Sequence, residues 1–247
     1  MKKQVLFSIL LISSFALFSF IKKAYNPIAN TGIISENTFL DATEVTNLNW
    51  REYMSWHAQN YGKDSKEFLA TTPDATVWKG EKFKPMRAFY LQNAAYNDYP
   101  VVGISHEQAV AYCTWRAARI NELLKLRNKK TTTIYSCRLP TKVEWENITR
   151  KEAFSTQPYR TKFHNLQEVT DDGVVHENDI TSPVKSFTPT LNGFHNLIGN
   201  VAEMVAEKGI AKGGSWQHTN IGLTYETDYT YSQPTNWIGF RCVLIRE

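Results

Sequence analysis

The sequence predicts a single α+β domain that is rich in coil. Helical patterns come early in the chain, between residues 47 and 150, whereas short strand-like segments separated by Gly, Pro, Asn and Asp come late. The two patterns do not alternate, which argues against a parallel sheet built from strand–helix–strand units. The length of 247 residues is compatible with one large domain or two small ones, and no internal repeat divides the chain.

Residues 1–24 have the pattern of an export signal or an N-terminal membrane anchor. Lys2 and Lys3 precede an apolar run from Val5 to Ile21, which is long for the core of a signal peptide and short for a membrane span. The pattern leaves cleavage and anchoring equally open. No Cys lies near the end of the run, so no lipid attachment is predicted there.

The net charge of the chain is concentrated in that first segment. The 28 Lys and Arg exceed the 24 Asp and Glu, giving a net charge of +4, and four of the lysines fall within residues 1–24. The positive and negative charges of the remaining chain are equal in number, so no nucleic-acid partner is expected.

Residues 25–35 are predicted as a linker and residues 36–247 as the folded domain. An exported protein of the periplasm or cell envelope is expected, with membrane contact only through the first segment if it is not cleaved.

Two long helices are predicted from the spacing of apolar residues. The first covers residues 47–60, with Thr46 or Asn47 as its N-cap. The second begins after Ser105, which can form a capping box with Gln108. One face of the second helix is apolar and contains Ala109, Tyr112, Cys113, Ala117, Ile120 and Leu124.

Six short motifs follow one another along the chain. They are DATEVTN (41–47), YPVVGISHEQAVAYCTW (99–115), RLPTKVEWE (138–146), NGFHNLIGNVAEM (192–204), KGGSW (212–216) and GFRC (239–242). In this order they resemble the formylglycine-generating enzyme family, also called the sulfatase-modifying-factor domain. The resemblance covers about residues 36–247 and implies a compact, coil-rich variant of the C-type lectin fold.

Two further stretches are similar to one branch of that family. TTPDATVWKG (71–80) and the segment 93–122 resemble the gliding-motility and type IX secretion lipoproteins of Bacteroidetes. Those proteins carry the same domain without known oxidase chemistry. The resemblance therefore implies envelope proteins of a secretion or motility complex as partners, although the lipid-attachment Cys of lipoproteins is missing here.

The chain has three cysteines, Cys113, Cys137 and Cys242. In an exported protein this odd count permits one disulfide and one spare thiol, and counting alone does not choose the pair. Cys113 and Cys242 match two family positions that form a disulfide, so the resemblance implies that bond. Cys137 has no family counterpart and is expected to lie apart as a buried, unpaired thiol.

The resemblance also locates the family's catalytic groove. The enzyme oxidises a substrate cysteine with O2 and copper, using two Cys that follow the Gly-Gly-Ser motif. The matching positions after Ser215 are His218 and Leu223, which cannot supply the thiolates that hold Cu(I). Residues 202–204 read Ala-Glu-Met where the family often has Trp-Glu-Trp. A vestigial groove without catalytic residues or copper is expected.

His218 could in principle begin a different chemistry. A related branch of the family uses non-heme iron, but its His ligands lie largely on an additional N-terminal domain, for which there is no room before residue 36. No His of this chain forms a helical metal motif with a carboxylate. His218 is therefore expected to be a polar surface residue.

Two calcium sites are implied by the resemblance. The first set is Asn196, Gly199, Val201 and Glu203. The second matches Asn165 and the carbonyl of Leu166, with its remaining ligands in the acidic loop 170–179, where Asp172 and Asp179 are the alternatives. Side-chain and carbonyl oxygens are the ligands that calcium prefers.

Three functions remain open from the sequence. The first is a non-catalytic domain that acts in protein assembly at the cell envelope. The second is a divergent oxidoreductase that uses the same groove with other residues. The third is a glycan-binding module, which rests on fold analogy alone.

Overall fold

The computed structural model describes residues 30–152, 164–169, 173, 175–176, 180–219 and 221–247. The predicted export signal or anchor lies outside these residues. Within the described ranges, no helix is both long enough and apolar enough to cross a membrane.

Helices dominate the first part of the described chain, and short strands dominate the second. The helices are α1 (Asn47–Tyr61), α2 (Lys66–Leu69), α3 (Lys84–Phe89), α4 (His106–Arg127) and α5 (Lys142–Glu152). The strands are β1 (Thr31–Ser35), β2 (Thr38–Asp41), β3 (Tyr135–Arg138), β4 (Glu168–Val169), β5 (Val175–His176), β6 (Ala202–Met204), β7 (Ile210–Lys212), β8 (Tyr229–Thr230), β9 (Ile238–Gly239) and β10 (Val243–Arg246). This arrangement confirms the predicted α+β class with much coil.

The first sheet joins the two ends of the domain. Its strand order is β1-β2-β10-β3, and every neighbouring pair is antiparallel. The predicted linker at residues 25–35 is wrong for residues 31–35, which form the edge strand β1. The reason is packing, because Ile34 lies against the cluster of Leu40 and Phe194 while Ile33 points to solvent with 72% of its surface exposed.

The two long helices begin where their caps predict. Thr46 caps α1 and forms a capping box with Asn49. For α4, the amide of Gln108 donates to Ser105 Oγ at 3.2 Å, and the amide of Ser105 donates to Gln108 Oε1 at 2.8 Å. The predicted capping box is therefore confirmed.

Helix α4 packs on the first sheet and forms the main core with α1. Ile120 of α4 lies in one buried cluster with residues of β2, β3 and β10. Tyr112 stacks on Trp50 of α1, with 5.4 Å between the ring centroids, and Phe240 packs edge-on against both rings. The predicted apolar face of α4 is confirmed at its buried positions, Ala109, Tyr112, Cys113 and Ile120.

The second four-stranded sheet has the order β8-β7-β6-β9. Strands β6 and β9 pair in parallel, and the other pairs are antiparallel. The Gly-Gly-Ser motif follows β7 directly, so this sheet positions the vestigial groove.

Candidate functional site

The turn after β7 is pressed against the core by its two glycines. Gly213 and Gly214 have φ angles of +88° and +71°, a left-handed backbone that favours glycine. A Cβ on Gly213 would lie 2.6 Å from the carbonyl oxygen of Leu197, and one on Gly214 would lie 2.7 Å from Cδ1 of Leu223. The following residue, Ser215, is completely buried as a result.

His218 lies beside Ser215 and between two aromatic rings. A hydrogen bond of 2.7 Å joins Ser215 Oγ and His218 Nδ1. The ring centroids of Tyr229 and Trp237 lie 4.3 and 5.0 Å from that of the imidazole. Burial lowers the pKa of His218 to about 4, so the ring is neutral at pH 7. The expectation of an ordinary surface histidine is wrong, because the ring is packed into the protein.

Leu223 belongs to the core. Only 8% of its surface is exposed, and it packs in one cluster with Trp145, Leu166, Ile198 and Val205. Leu223, which the resemblance places at the second position of the copper-binding pair, is thus a side chain of the core.

The site can offer a neutral imidazole and two aromatic faces, but it has no thiol. All three cysteines of the chain lie elsewhere, in a cluster described below. Copper-dependent oxidation of a substrate cysteine needs thiolates at this place. The geometry here therefore gives no support to that reaction.

Behind the turn, Arg241 and Glu203 form a completely buried ion pair. Arg241 donates from Nε to Glu203 Oε2 at 2.7 Å and from Nη2 to Oε1 at 2.5 Å. Trp145 Nε1 donates to the same Oε2 at 2.9 Å. Arg241 also donates to the carbonyl oxygens of Asp41 and His195, at 3.0 and 2.7 Å. One guanidinium therefore ties together segments that are far apart in sequence.

Glu44 is a second buried carboxylate near this ion pair. It accepts from Asn196 Nδ2 at 3.1 and 3.2 Å and from Asn200 Nδ2 at 2.8 Å. Burial raises the pKa of Glu44 to about 7, although Arg241 acts in the opposite direction. Asn200 also accepts from Asn165 Nδ2 at 3.2 Å. Asn165 and Asn196, which come from the two predicted calcium sites, therefore belong to one hydrogen-bond network.

The contacts of Glu203 do not fit its predicted role as a calcium ligand. Both of its oxygens accept from Arg241 or Trp145, and the guanidinium already supplies the positive charge that a cation would bring. Asn196 directs its amide nitrogen, rather than its oxygen, toward Glu44.

Calcium binding itself stays a prediction at both sites. Gly199 lies against the backbone of Asn165, since a Cβ on Gly199 would be 2.9 Å from the Asn165 carbonyl oxygen, so the two sites adjoin. Asp172 and Asp179 lie outside the described residues. A chelator that lowers the melting temperature would support bound calcium, and an unchanged melting temperature would contradict it.

The three cysteines form one cluster between α4 and the first sheet. The sulfurs of Cys113 and Cys242 lie 3.4 Å apart, and all three sulfurs lie within 4.8 Å of one another. The predicted pair is brought together but not bonded, because a disulfide needs about 2.05 Å and all three residues are free thiols here. The bond stays a prediction. The expectation that Cys137 lies apart is wrong, since β3 pairs with β10 and sets Cys137 opposite Leu244.

Sequence reasoning missed several residues of this region. Glu44 and Arg241 lie in recognisable motifs, yet nothing local indicates that they share one buried network. Tyr229 and Trp237 come from segments without a motif and reach His218 only in the folded chain. The signal available in the sequence was the presence of charged residues between strongly apolar neighbours, as in Gly-Phe-Arg-Cys at 239–242.

Comparison with known proteins defines the class to which this fold and site belong. Residues 18–245 match the sulfatase-modifying factor enzyme 1-like domain, and the chain belongs to this family. The solved structure of CarF shares the fold, with a TM-score of 0.54 at 18% identity, covering 84% of this chain and 86% of CarF.

Among characterised relatives, two carry the name inactive C-alpha-formylglycine-generating enzyme 2. The protein of Bos taurus is 27% identical over 187 residues, covering 63% of this chain and 56% of its own length. That of Mus musculus is 28% identical over 247 residues, covering 82% and 73%. The formylglycine-generating enzyme of Bos taurus is 30% identical over 202 residues, covering 68% and 48%. The chain spans about half the length of these bovine relatives.

Proposed function

We propose that this chain is a non-catalytic member of its family that serves as a structural or protein-interaction component of the cell envelope, in gliding or type IX secretion machinery. The non-catalytic part of this proposal rests on the two residues that stand at the copper-binding positions implied by the resemblance. His218 is held by Ser215 and two aromatic rings, and Leu223 is part of the core.

The relatives support the same proposal at a coarser level. Two of them are named inactive, whereas a third is named formylglycine-generating enzyme. The charged residues of the motifs also form internal contacts in this chain, as the pair of Arg241 and Glu203 illustrates. A domain whose motifs maintain the fold can lose its chemistry and keep its surface for binding.

The support for the envelope role comes only from the sequence. The apolar segment at 1–24 favours export, and the stretches at 71–80 and 93–122 resemble envelope proteins of the gliding and secretion branch. The balanced charge of the remaining chain favours a protein partner over nucleic acid.

The test is recovery of partners from the native envelope. The full chain with an affinity tag would be expressed in its own cell, crosslinked, purified from membrane and periplasmic fractions, and analysed by mass spectrometry. An unrelated exported protein with the same tag serves as the control. Enrichment of a defined set of envelope proteins is expected. Recovery of glycan fragments alone, or of nothing above the control, would contradict the proposal.

A further inference from the structure

Three separate elements bring the three sulfurs together. Cys113 lies on the buried face of α4, Cys137 on β3, and Cys242 directly before β10. Cys137 is opposite Leu244, and side chains alternate along a strand, so Cys137 and Cys242 share one face of the sheet. All three sulfurs lie within 4.8 Å of one another. The Cys113 and Cys242 sulfurs are 3.4 Å apart, a short side-chain movement away from the bonding distance of about 2.05 Å, and Cys137 lies within 4.8 Å of both.

The three thiols differ in their access to solvent. Cys113 and Cys242 have 1% and 0% of their surface exposed, respectively, whereas Cys137 is partly exposed. Of the three residues, Cys137 is therefore the most accessible from solution.

The surroundings of the cluster favour a single thiolate, and they favour it at Cys137. Hydrogen bonds from Cys113 and Cys242 lower the pKa of the Cys137 thiol, with a further contribution from Arg116. Burial raises the pKa of the other two thiols. Asp41 stands next to the cluster, accepting from the Cys242 amide at 3.0 Å and from Arg116 at 2.5 and 2.7 Å.

Three clustered thiols can either bind a metal ion or carry out thiol–disulfide exchange, and this charge distribution favours exchange. A three-thiolate metal site would stay net negative even with a divalent ion, beside the carboxylate of Asp41, whose charge Arg116 already balances. Buried charge without compensation is costly. Thiol–disulfide exchange requires only one thiolate at a time, which the cluster can accommodate.

We propose that Cys113, Cys137 and Cys242 form a thiol–disulfide exchange site that reacts with external disulfides, with Cys137 as the attacking thiol and the buried pair as the resolving thiols. The Cys137 thiolate attacks a disulfide RSSR, forms a Cys137–SR bond and expels one RS⁻. Cys242 then attacks the Cys137 sulfur, forms a Cys137–Cys242 bond and expels the second RS⁻. Attack by Cys113 on Cys242 gives the Cys113–Cys242 bond and restores the Cys137 thiolate.

The reaction balances without a further reagent. Two protein thiols are oxidised to one disulfide, and RSSR is reduced to two RSH, which take up the protons of Cys113 and Cys242. The final bond is the pairing expected from the sequence, so Cys137 supplies a route by which a deeply buried disulfide can be made or exchanged.

The test follows the oxidation of the fully reduced full-length chain by oxidised glutathione. Samples are quenched with acid, alkylated and mapped by peptide mass spectrometry. Glutathione is expected first on Cys137, followed by a Cys113–Cys242 bond with Cys137 free. In the double variant Cys113→Ser/Cys242→Ser, the glutathione adduct should remain on Cys137.

Two single variants complete the test. Cys137→Ser should form the Cys113–Cys242 bond at least about tenfold more slowly, because buried thiols contain little thiolate at neutral pH. Ser136→Ala, next to it on β3, is the matched control and should keep the original rate. A first adduct on Cys113 or Cys242 in the unaltered chain would overturn the proposal, as would an unchanged rate in a Cys137→Ser protein with native circular dichroism. If Cys137→Ser does not fold, the order of adducts in the unaltered chain decides.

Discussion

Charged residues of the motifs act on one another inside the protein. Lys212 is completely buried, and its Nζ donates to Glu146 and Asp228 at 2.8 Å each. Arg138 contacts both oxygens of Glu144 at 2.7 Å. Arg138 and Glu144 are partly exposed, whereas removal of the partners of Lys212 would leave a buried charge without compensation. Motifs that suggest chemistry in the sequence therefore fix loop positions in the folded chain.

Arg241→Met should destabilise the protein strongly. Glu203 would remain buried without its partner, which typically costs about 3–5 kcal/mol. The measurement is the free energy of unfolding in urea. Arg246→Met, at the end of the following strand β10, is the matched control because Arg246 is exposed, and its effect should stay within about 0.5 kcal/mol. Equal losses for the two variants would contradict this account of Arg241.

Glu44→Gln should change how stability depends on pH. The pKa of Glu44 is raised by burial from 4.5 to about 7, so the folded state favours the protonated form. This preference stabilises the folded state by up to about 3 kcal/mol. The stabilisation is fully present below pH 4.5 and is lost as the pH rises through 7. Relative to the variant, the unaltered protein should therefore lose stability between these pH values. The control Glu52→Gln, at an exposed position of α1, should show the same dependence of stability on pH as the unaltered protein. A Glu44→Gln protein with that same dependence would contradict this role of Glu44.

At the scale of elements, prediction succeeded where the determining contacts are local. Ser105 and Gln108 are three residues apart, so the start of α4 can be read directly from the sequence. The strand at 31–35 depends on packing against Phe194, and the position of Cys137 depends on the register between β3 and β10. Such contacts join residues that are far apart in the chain, and no short pattern encodes them.

Gly213→Ala should destabilise the turn after β7 by about 3 kcal/mol or more. The added Cβ meets both a left-handed backbone, with φ of +88°, and the Leu197 carbonyl oxygen at 2.6 Å. Gly222→Ala is the control, because its φ is +71° and nothing lies within 4 Å of its Cβ. The control should lose only about 1–2 kcal/mol. Thermal unfolding of both variants measures the difference, and equal shifts would show that the close approach to Leu197 is unimportant.

At the scale of the whole molecule, the family motifs predicted the fold well and the site only in part. The motifs occur in the family order, and the family match extends over residues 18–245. The resemblance implies that His218 and Leu223 replace the copper-binding pair, but it does not indicate the surroundings of these two residues. The aromatic rings around His218 and the core around Leu223 come from distant segments of the chain.

The purified protein should not convert a cysteine-containing sulfatase peptide to formylglycine, with or without copper. No thiol lies at the positions of His218 and Leu223, since all three cysteines lie in the cluster between α4 and the first sheet. Mass spectrometry of the peptide after incubation with oxygen is the measurement, with a copper-only control. Formylglycine above that control would overturn the non-catalytic proposal.

Restoring the pair by His218→Cys/Leu223→Cys should lower stability, because truncating a buried Leu typically costs a few kcal/mol. The single variant Leu223→Cys should account for most of that loss, since Leu223 is the member of the pair that lies in a core cluster. Melting temperatures of both proteins give the comparison. A Leu223→Cys protein as stable as the unaltered one would contradict the core role of Leu223.

One of the two central strands of the first sheet, β10, is also the last described strand to leave the ribosome. β10 lies between β2 and β3, and Phe240, Cys242, Val243 and Leu244 are completely buried. β2 and β3 are synthesised before it and have no strand to join them until β10 emerges. Because contacts of such high sequence separation form slowly, the first sheet cannot close before β10 has been synthesised. In an exported chain, as proposed, this order of synthesis favours delivery to a translocation channel before the sheet has formed.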